Sequence, residues 1–147
     1  MRDTPAKLIE TTWKMVSGND NHFPGGRPRG ISGEKTGEGL ERQGETFPQI
    51  VYQYDGGTIT SALGSIRETE RAISYTVWDD GDEEEHGIHK ADILEKKFLE
   101  ALCKSRRVTE MNSSFSFIDS STGRPAAHTS RAPSEIGGIQ REVLIRS

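Results

Sequence analysis

The segment Ala72 to Trp78 (AISYTVW) constrains this chain more than any other. Ile73, Tyr75 and Val77 alternate with Ser74 and Thr76, the period-two pattern of a strand with one buried face. A polar connection, Arg67-Glu68-Thr69-Glu70-Arg71, precedes it, and Asp79-Asp80-Gly81-Asp82 follows it as a turn. A strand so bounded needs neighbours, and the sequence supplies candidates. Gln49 to Tyr54 alternates Ile50, Tyr52 and Tyr54 against Val51 and Gln53. Asp55-Gly56-Gly57 then offers residues that accept positive φ in a tight reversal. Residues 58–66, rich in Thr and Ile, predict a second strand, and residues 84–88 a short fourth one. Short strands joined by tight turns imply a small curled antiparallel sheet or barrel.

Two helices flank these strands. Residues 4–16 read as a helix with Thr4 as N-cap, Pro5 in the first turn and Gly18 at the far end. Ile9, Trp13 and Val16 share one face, with Leu8 and Met15 at its edges; a strand over the same residues is the alternative. A second helix is predicted over residues 92–108, where Asp92 and Glu95 form a capping-box pattern. Its apolar stripe is Leu94, Phe98 and Leu102, with Cys103 at the edge, and Lys104, Arg106 and Arg107 favour its C-terminal dipole.

Hydrophobic residues are only 31% of the chain, and even with its sixteen glycines added the share stays below the roughly 45–50% of typical globular proteins, a count that includes glycine. This predicts a small core with long solvated flanks. Eight of the sixteen glycines fall between Ser17 and Thr46, where too little burial is on offer to offset backbone entropy. The expected organisation is an N-terminal helix at 1–17, a Gly-rich linker at 18–46, a β unit at 47–94, the amphipathic helix at 92–108 and a disordered tail at 109–147. The tail carries one apolar docking patch, Val143-Leu144-Ile145.

Charge and cysteine usage exclude several classes. A net charge of −4 provides no global positive field, so direct nucleic-acid binding is not expected, and Arg27-Pro28-Arg29 reads as solvated. A single cysteine, Cys103, permits neither an intrachain disulfide nor a CxxC zinc pair, which suggests a reducing compartment. No apolar run approaches the roughly 20 residues of a membrane helix, and the N-terminus lacks the continuous apolar stretch of a signal peptide. An intracellular protein without membrane association is expected. The acidic run fails as an EF-hand, because a loop begun at Asp80 puts Glu85 sixth and one begun at Asp82 puts Ile93 twelfth. His86 and His89 have no third His or Cys nearby, and Cys103 falls on the apolar side of its helix. No nucleotide-binding, hydrolase or metalloprotease motif occurs. The expectation is no enzyme, no cofactor and no metal.

What remains is the run from Asp79 to Glu85, which follows directly on Trp78 and stands opposite a segment bearing Tyr52 and Tyr54. Aromatic faces attract a cation while a carboxylate neutralises it; all three rings lying in the core is the competing reading. The segments IVYQYDGGTITSALGSI and ISYTVWDDGDEEEHGIHKADIL resemble a Tudor domain, an SH3-like barrel of five strands, and its Agenet relatives. The resemblance covers residues 47–94. It implies an aromatic cage for methylated Lys or Arg, with Tyr54 in the first-strand position, Trp78 as the aromatic before Asp-Asp-Gly and Asp80 as the acid, with Tyr52 and Asp82 beside them. Thr58 and Asp82 stand where the family has further aromatics. Alternation also puts Trp78 on the face opposite Tyr75 and Val77, so the cage requires a bulge near Val77.

Three readings follow. The first is a binding module for a basic or methylated tail such as a histone tail, a chromatin reader placed in the nucleus rather than the cytoplasm. The second is a structural subunit of a larger complex, with the barrel as a ligand-free scaffold. The third is a small-ligand-binding β-barrel, suggested by LIETTWKMVSG.

Overall fold

A computed structural model describes residues 4–24, 46–61, 67–104, 107–108, 113–114, 116–128 and 131–146. The chain runs α1 (Thr4–Ser17), β1 (His22–Pro24), β2 (Gln49–Ser61), β3 (Arg67–Asp80) and α2 (Gly87–Lys104). Five further strands follow: β4 (Arg107–Val108), β5 (Ser113–Ser114), β6 (Ser116–Ser120), β7 (Arg124–Ala127) and β8 (Ile136–Arg146). The main sheet has six strands in the order β1-β2-β3-β8-β6, with β7 also on β8. The protein is therefore mainly β with two helices, as the strand patterning implies, but the sheet is open and does not close into a barrel. β1 pairs parallel to β2, and the other pairs are antiparallel.

Both helices cover one face. From α1 come Leu8, Ile9 and Trp13, and from α2 come Phe98 and Leu102. Beneath them lie Ile50 and Tyr52 of β2, Ile73, Tyr75 and Val77 of β3, and Val143 and Ile145 of β8. The Phe98 ring packs edge-on against both Tyr75, at 5.0 Å between centroids, and Trp13, at 6.0 Å. Such contacts add about 0.5–1.5 kcal/mol beyond burial. α1 ends where Gly18 adopts φ +77° and donates its N–H to the Lys14 carbonyl, the single-bond left-handed cap.

The helix-covered face also holds a buried charge. Glu95 is fully buried on α2, accepts a hydrogen bond from the Tyr75 hydroxyl at 2.6 Å, and takes two from Arg141 at 2.8 and 2.9 Å. A third Arg141 nitrogen donates to the Ser121 carbonyl. A buried carboxylate persists only when paired and hydrogen-bonded in this way. Burial and the Glu95 carboxylate push the Tyr75 phenol far above its usual range, while hydrogen bonding to Glu95 raises Arg141.

Four expectations are corrected. Residues 84–88 do not form a strand: α2 starts at Gly87, where the Gly87 and Ile88 amides donate to the Ser134 and Pro133 carbonyls. The helix begins five residues before Asp92, because a downstream loop, not a local capping box, satisfies its first turn. Asp55-Gly56-Gly57 is not a reversal. β2 runs through it with one extra residue between Tyr54 and Gly57, a bulge opposite β3, and Arg67 to Arg71 is strand, not connection.

The region 109–147 is not a tail: β8 is its core strand, paired with β3 over eleven positions from Ile136 to Arg146. Val143 and Ile145 are buried in the main core by β3 on one side and β6 on the other, a long-range pairing that local composition does not announce. Of the 18–46 linker, residues 22–24 form β1, and residues 25–45 lie outside the described residues.

Candidate functional site

The predicted cage residues separate across the sheet. β2 and β3 keep an unbroken register from Gln49↔Trp78 to Tyr54↔Ile73, so no bulge occurs near Val77. Tyr52 and Tyr54 therefore face the helices, and Trp78 faces away. Tyr52 is 3% exposed and donates its hydroxyl to Glu10 of α1. Tyr54 packs at the margin of the same core, where the chain's own Arg71 guanidinium lies 5.9 Å from its ring centroid.

Trp78 is 3% exposed in a second, smaller cluster with Val51 and Ile136, flanked by Phe23, Phe47 and Ala126. His128 meets its ring edge-on at 5.9 Å. A Cβ added at Gly138 would lie 2.7 Å from the indole, so glycine lets β8 pass directly over the ring. Tyr52, Tyr54 and Trp78 do not share a pocket, and the cage implied by the resemblance is not assembled from them.

Asp80 and Asp82, in contrast, come together at the end of β3. They line a shallow cavity of about 600 Å³ with Glu83, His86, Phe47, Ile136, Arg131 and Glu135. Three chain-distant segments form it, the acidic turn after β3, the loop before β8 and Phe47 ahead of β2. The Gly81 amide donates to the Glu135 carbonyl at 2.7 Å, and a Cβ at Gly81 would fall 2.0 Å from the Ser134 carbonyl oxygen. Only glycine permits that approach, so the acidic turn is pinned against the loop. Phe47 and Ile136 also pack on the Trp78 cluster, which gives the cavity an apolar wall continuous with a core.

The acids have different duties. Asp82 Oδ1 accepts the Glu84 and Glu85 amides, each at 2.8 Å, and these bonds hold its carboxyl below the usual range. Its other oxygen stands 3.6 Å from Lys90. Asp82 thus folds the turn, leaving Asp80, Glu83 and Glu135, all exposed, to face a guest. Asp79, on the opposite face, is buried, and desolvation pushes its carboxyl up to about 6 against the Asp80 amide and Lys90. His86 stacks on His89 at 5.6 Å. Among the described residues no cluster of three or more His, Cys, Asp and Glu side chains is arranged to hold a metal ion, and no helix is long and apolar enough to cross a membrane.

Sequence reasoning named Asp80 and Asp82 but missed Phe47, Glu135 and Ile136. The first lay at the edge of a segment read for its alternation. The other two lay in a region read as tail, and no local signal ties them to the acidic run. The chain matches no protein-family model and no curated protein.

Proposed function

We propose that the protein is a non-enzymatic binding module that captures a basic side chain of a partner polypeptide in the cavity at the end of β3. The reading rests on one observation above the others: Asp80, Glu83 and Glu135, from two segments, line one depression together with Phe47 and Ile136. Among the described lining residues, four carboxylates, Asp82 included, stand against one guanidinium, that of Arg131. Exposed carboxylates steer cationic partners and raise encounter rates, and an aromatic wall supplies a face for the cation. A basic tail of the histone type, met in the nucleus, is a partner of suitable chemistry. The site differs from the cage that the Tudor resemblance implies, since it uses Phe47 in place of Tyr54 and Trp78.

The test is titration of a short Arg/Lys-rich peptide into the whole protein, followed by amide chemical shifts. Shifts should cluster at Phe47, Asp80 to Glu83 and Arg131 to Ile136, and affinity should fall as salt rises from low to physiological strength, since exposed charges are screened beyond about 8–10 Å. Absence of binding at millimolar peptide, or shifts confined to the helices, overturns the proposal.

A further inference from the structure

We infer that the guest of this cavity is an unmethylated arginine rather than a methylated lysine, an inference that rests on the binding proposal above. The argument begins with what surrounds the guest. A methylated ammonium has lost hydrogen-bond donors and gains its affinity from several aromatic faces that enclose it. Here Phe47 and His86 are the aromatic residues of the lining, and one face of the His86 ring is covered by His89. The other aromatics of this end are unavailable: Trp78 is sealed in its own cluster under Gly138, and Tyr54 lies on the far face beside Arg71.

The polar side of the cavity presents acceptors instead. Asp80 and Glu83 stand on the turn, while Glu135 stands on the facing loop, and the Gly81–Glu135 backbone bond fixes the spacing between the two segments. Acceptors placed on two walls suit a planar group with donors along several edges. A guanidinium has five N–H donors in a fixed fork and can lay its plane on a ring. An ammonium offers three donors around a point, and each methyl removes one while pressing an apolar group against a carboxylate that then loses solvent. Asp82 does not compete, because the Glu84 and Glu85 amides and Lys90 already occupy its oxygens.

The experiment uses the full chain and one peptide sequence carrying a single central Arg, Lys, dimethyl-Lys, trimethyl-Lys or dimethyl-Arg. The arginine peptide should bind about tenfold more tightly than the trimethyl-lysine peptide, the equivalent of one charge-assisted hydrogen bond. Dimethylation of arginine should weaken binding, and Glu135→Gln should narrow the Arg/trimethyl-Lys ratio. Trimethyl-lysine binding as tightly as arginine, or more so, overturns the inference while leaving the cavity as a cation site. If no peptide binds, the binding proposal falls and this inference falls with it. Phe47→Leu keeps the apolar wall and removes the ring. Retained folding with a weakened arginine peptide supports stacking, and an unchanged affinity counts against it.

Discussion

On the helix-covered face, Ile73, Tyr75 and Val77 lie beneath two helices and share one continuous core with Trp13, Phe98 and Val143. On the other face, Trp78 sits in a smaller cluster with Val51 and Ile136, and the buried His128 meets its ring. The first face is closed around a paired charge, with Glu95 fully buried between Tyr75 and Arg141. The second ends in an open acidic cavity whose carboxylates remain exposed. The same strand, β3, serves both, with Ile73, Tyr75 and Val77 on the covered face and Trp78 and Asp80 on the other. Stability and recognition can therefore be perturbed separately, because the sheet itself stands between them.

The largest effect should come from the covered face. Glu95→Gln keeps the side chain's volume but leaves Arg141 without its buried counter-charge, and it should cost about 3–5 kcal/mol in chemical denaturation. A loss below about 1 kcal/mol would show that this charge is not critical to the core. Next comes the junction between the faces. A Cβ at Gly137 would lie 2.3 Å from the Ile88 Cα, backbone that cannot yield. Gly137→Ala should therefore destabilise by about 3 kcal/mol, the upper end of overpacking. At Gly138 the obstacle is the Trp78 ring, a side chain and not backbone. Gly138→Ala should cost less, about 1–2 kcal/mol, and equal losses at the two positions would remove the distinction between backbone and side-chain obstruction.

A smaller effect depends on pH. Because burial raises the Asp79 carboxyl from 3.8 to about 6, the folded chain holds that proton more tightly than the unfolded chain. The group thus favours folding below the lower value and loses that contribution as pH rises through the upper one. Asp79→Asn, which keeps an acceptor for the Asp80 amide, should stabilise by about 1 kcal/mol at pH 7 after allowance for solvent screening, and by nothing near pH 3. Thermal unfolding at the two pH values reads the difference. Smallest of all, Lys96→Ala at the exposed pair with Asp92 should change stability by under about 0.5 kcal/mol.

The sequence made one face legible and left the other obscure. Period-two alternation located Ile73, Tyr75 and Val77 correctly and put Trp78 on the opposite face, and helical periodicity found the buried side of α1 and Phe98 and Leu102 in α2. It failed where the determining contacts are long-range. β8 is buried because β3 and β6 flank it, not because of its own composition, in which Gly137, Gly138, Gln140 and Arg141 read as tail. The buried Glu95 looked like a capping residue because its partners are 20 and 46 positions away. At the site, the acidic run was visible, but its facing wall of Phe47, Glu135 and Ile136 is assembled only by tertiary contacts.

The most direct test compares the two candidate locations for recognition in one assay. Binding of the arginine peptide is measured by calorimetry for the parent protein, for Asp80→Asn with Glu135→Gln, and for Trp78→Phe. The indole Nε1 is buried with no hydrogen-bond partner among the described residues, so phenylalanine removes an unsatisfied donor and should leave the fold intact. A site in the acidic cavity predicts at least about a tenfold loss for the carboxylate pair and less than about twofold for Trp78→Phe. Binding that survives loss of both carboxylates but is abolished by Trp78→Phe contradicts it.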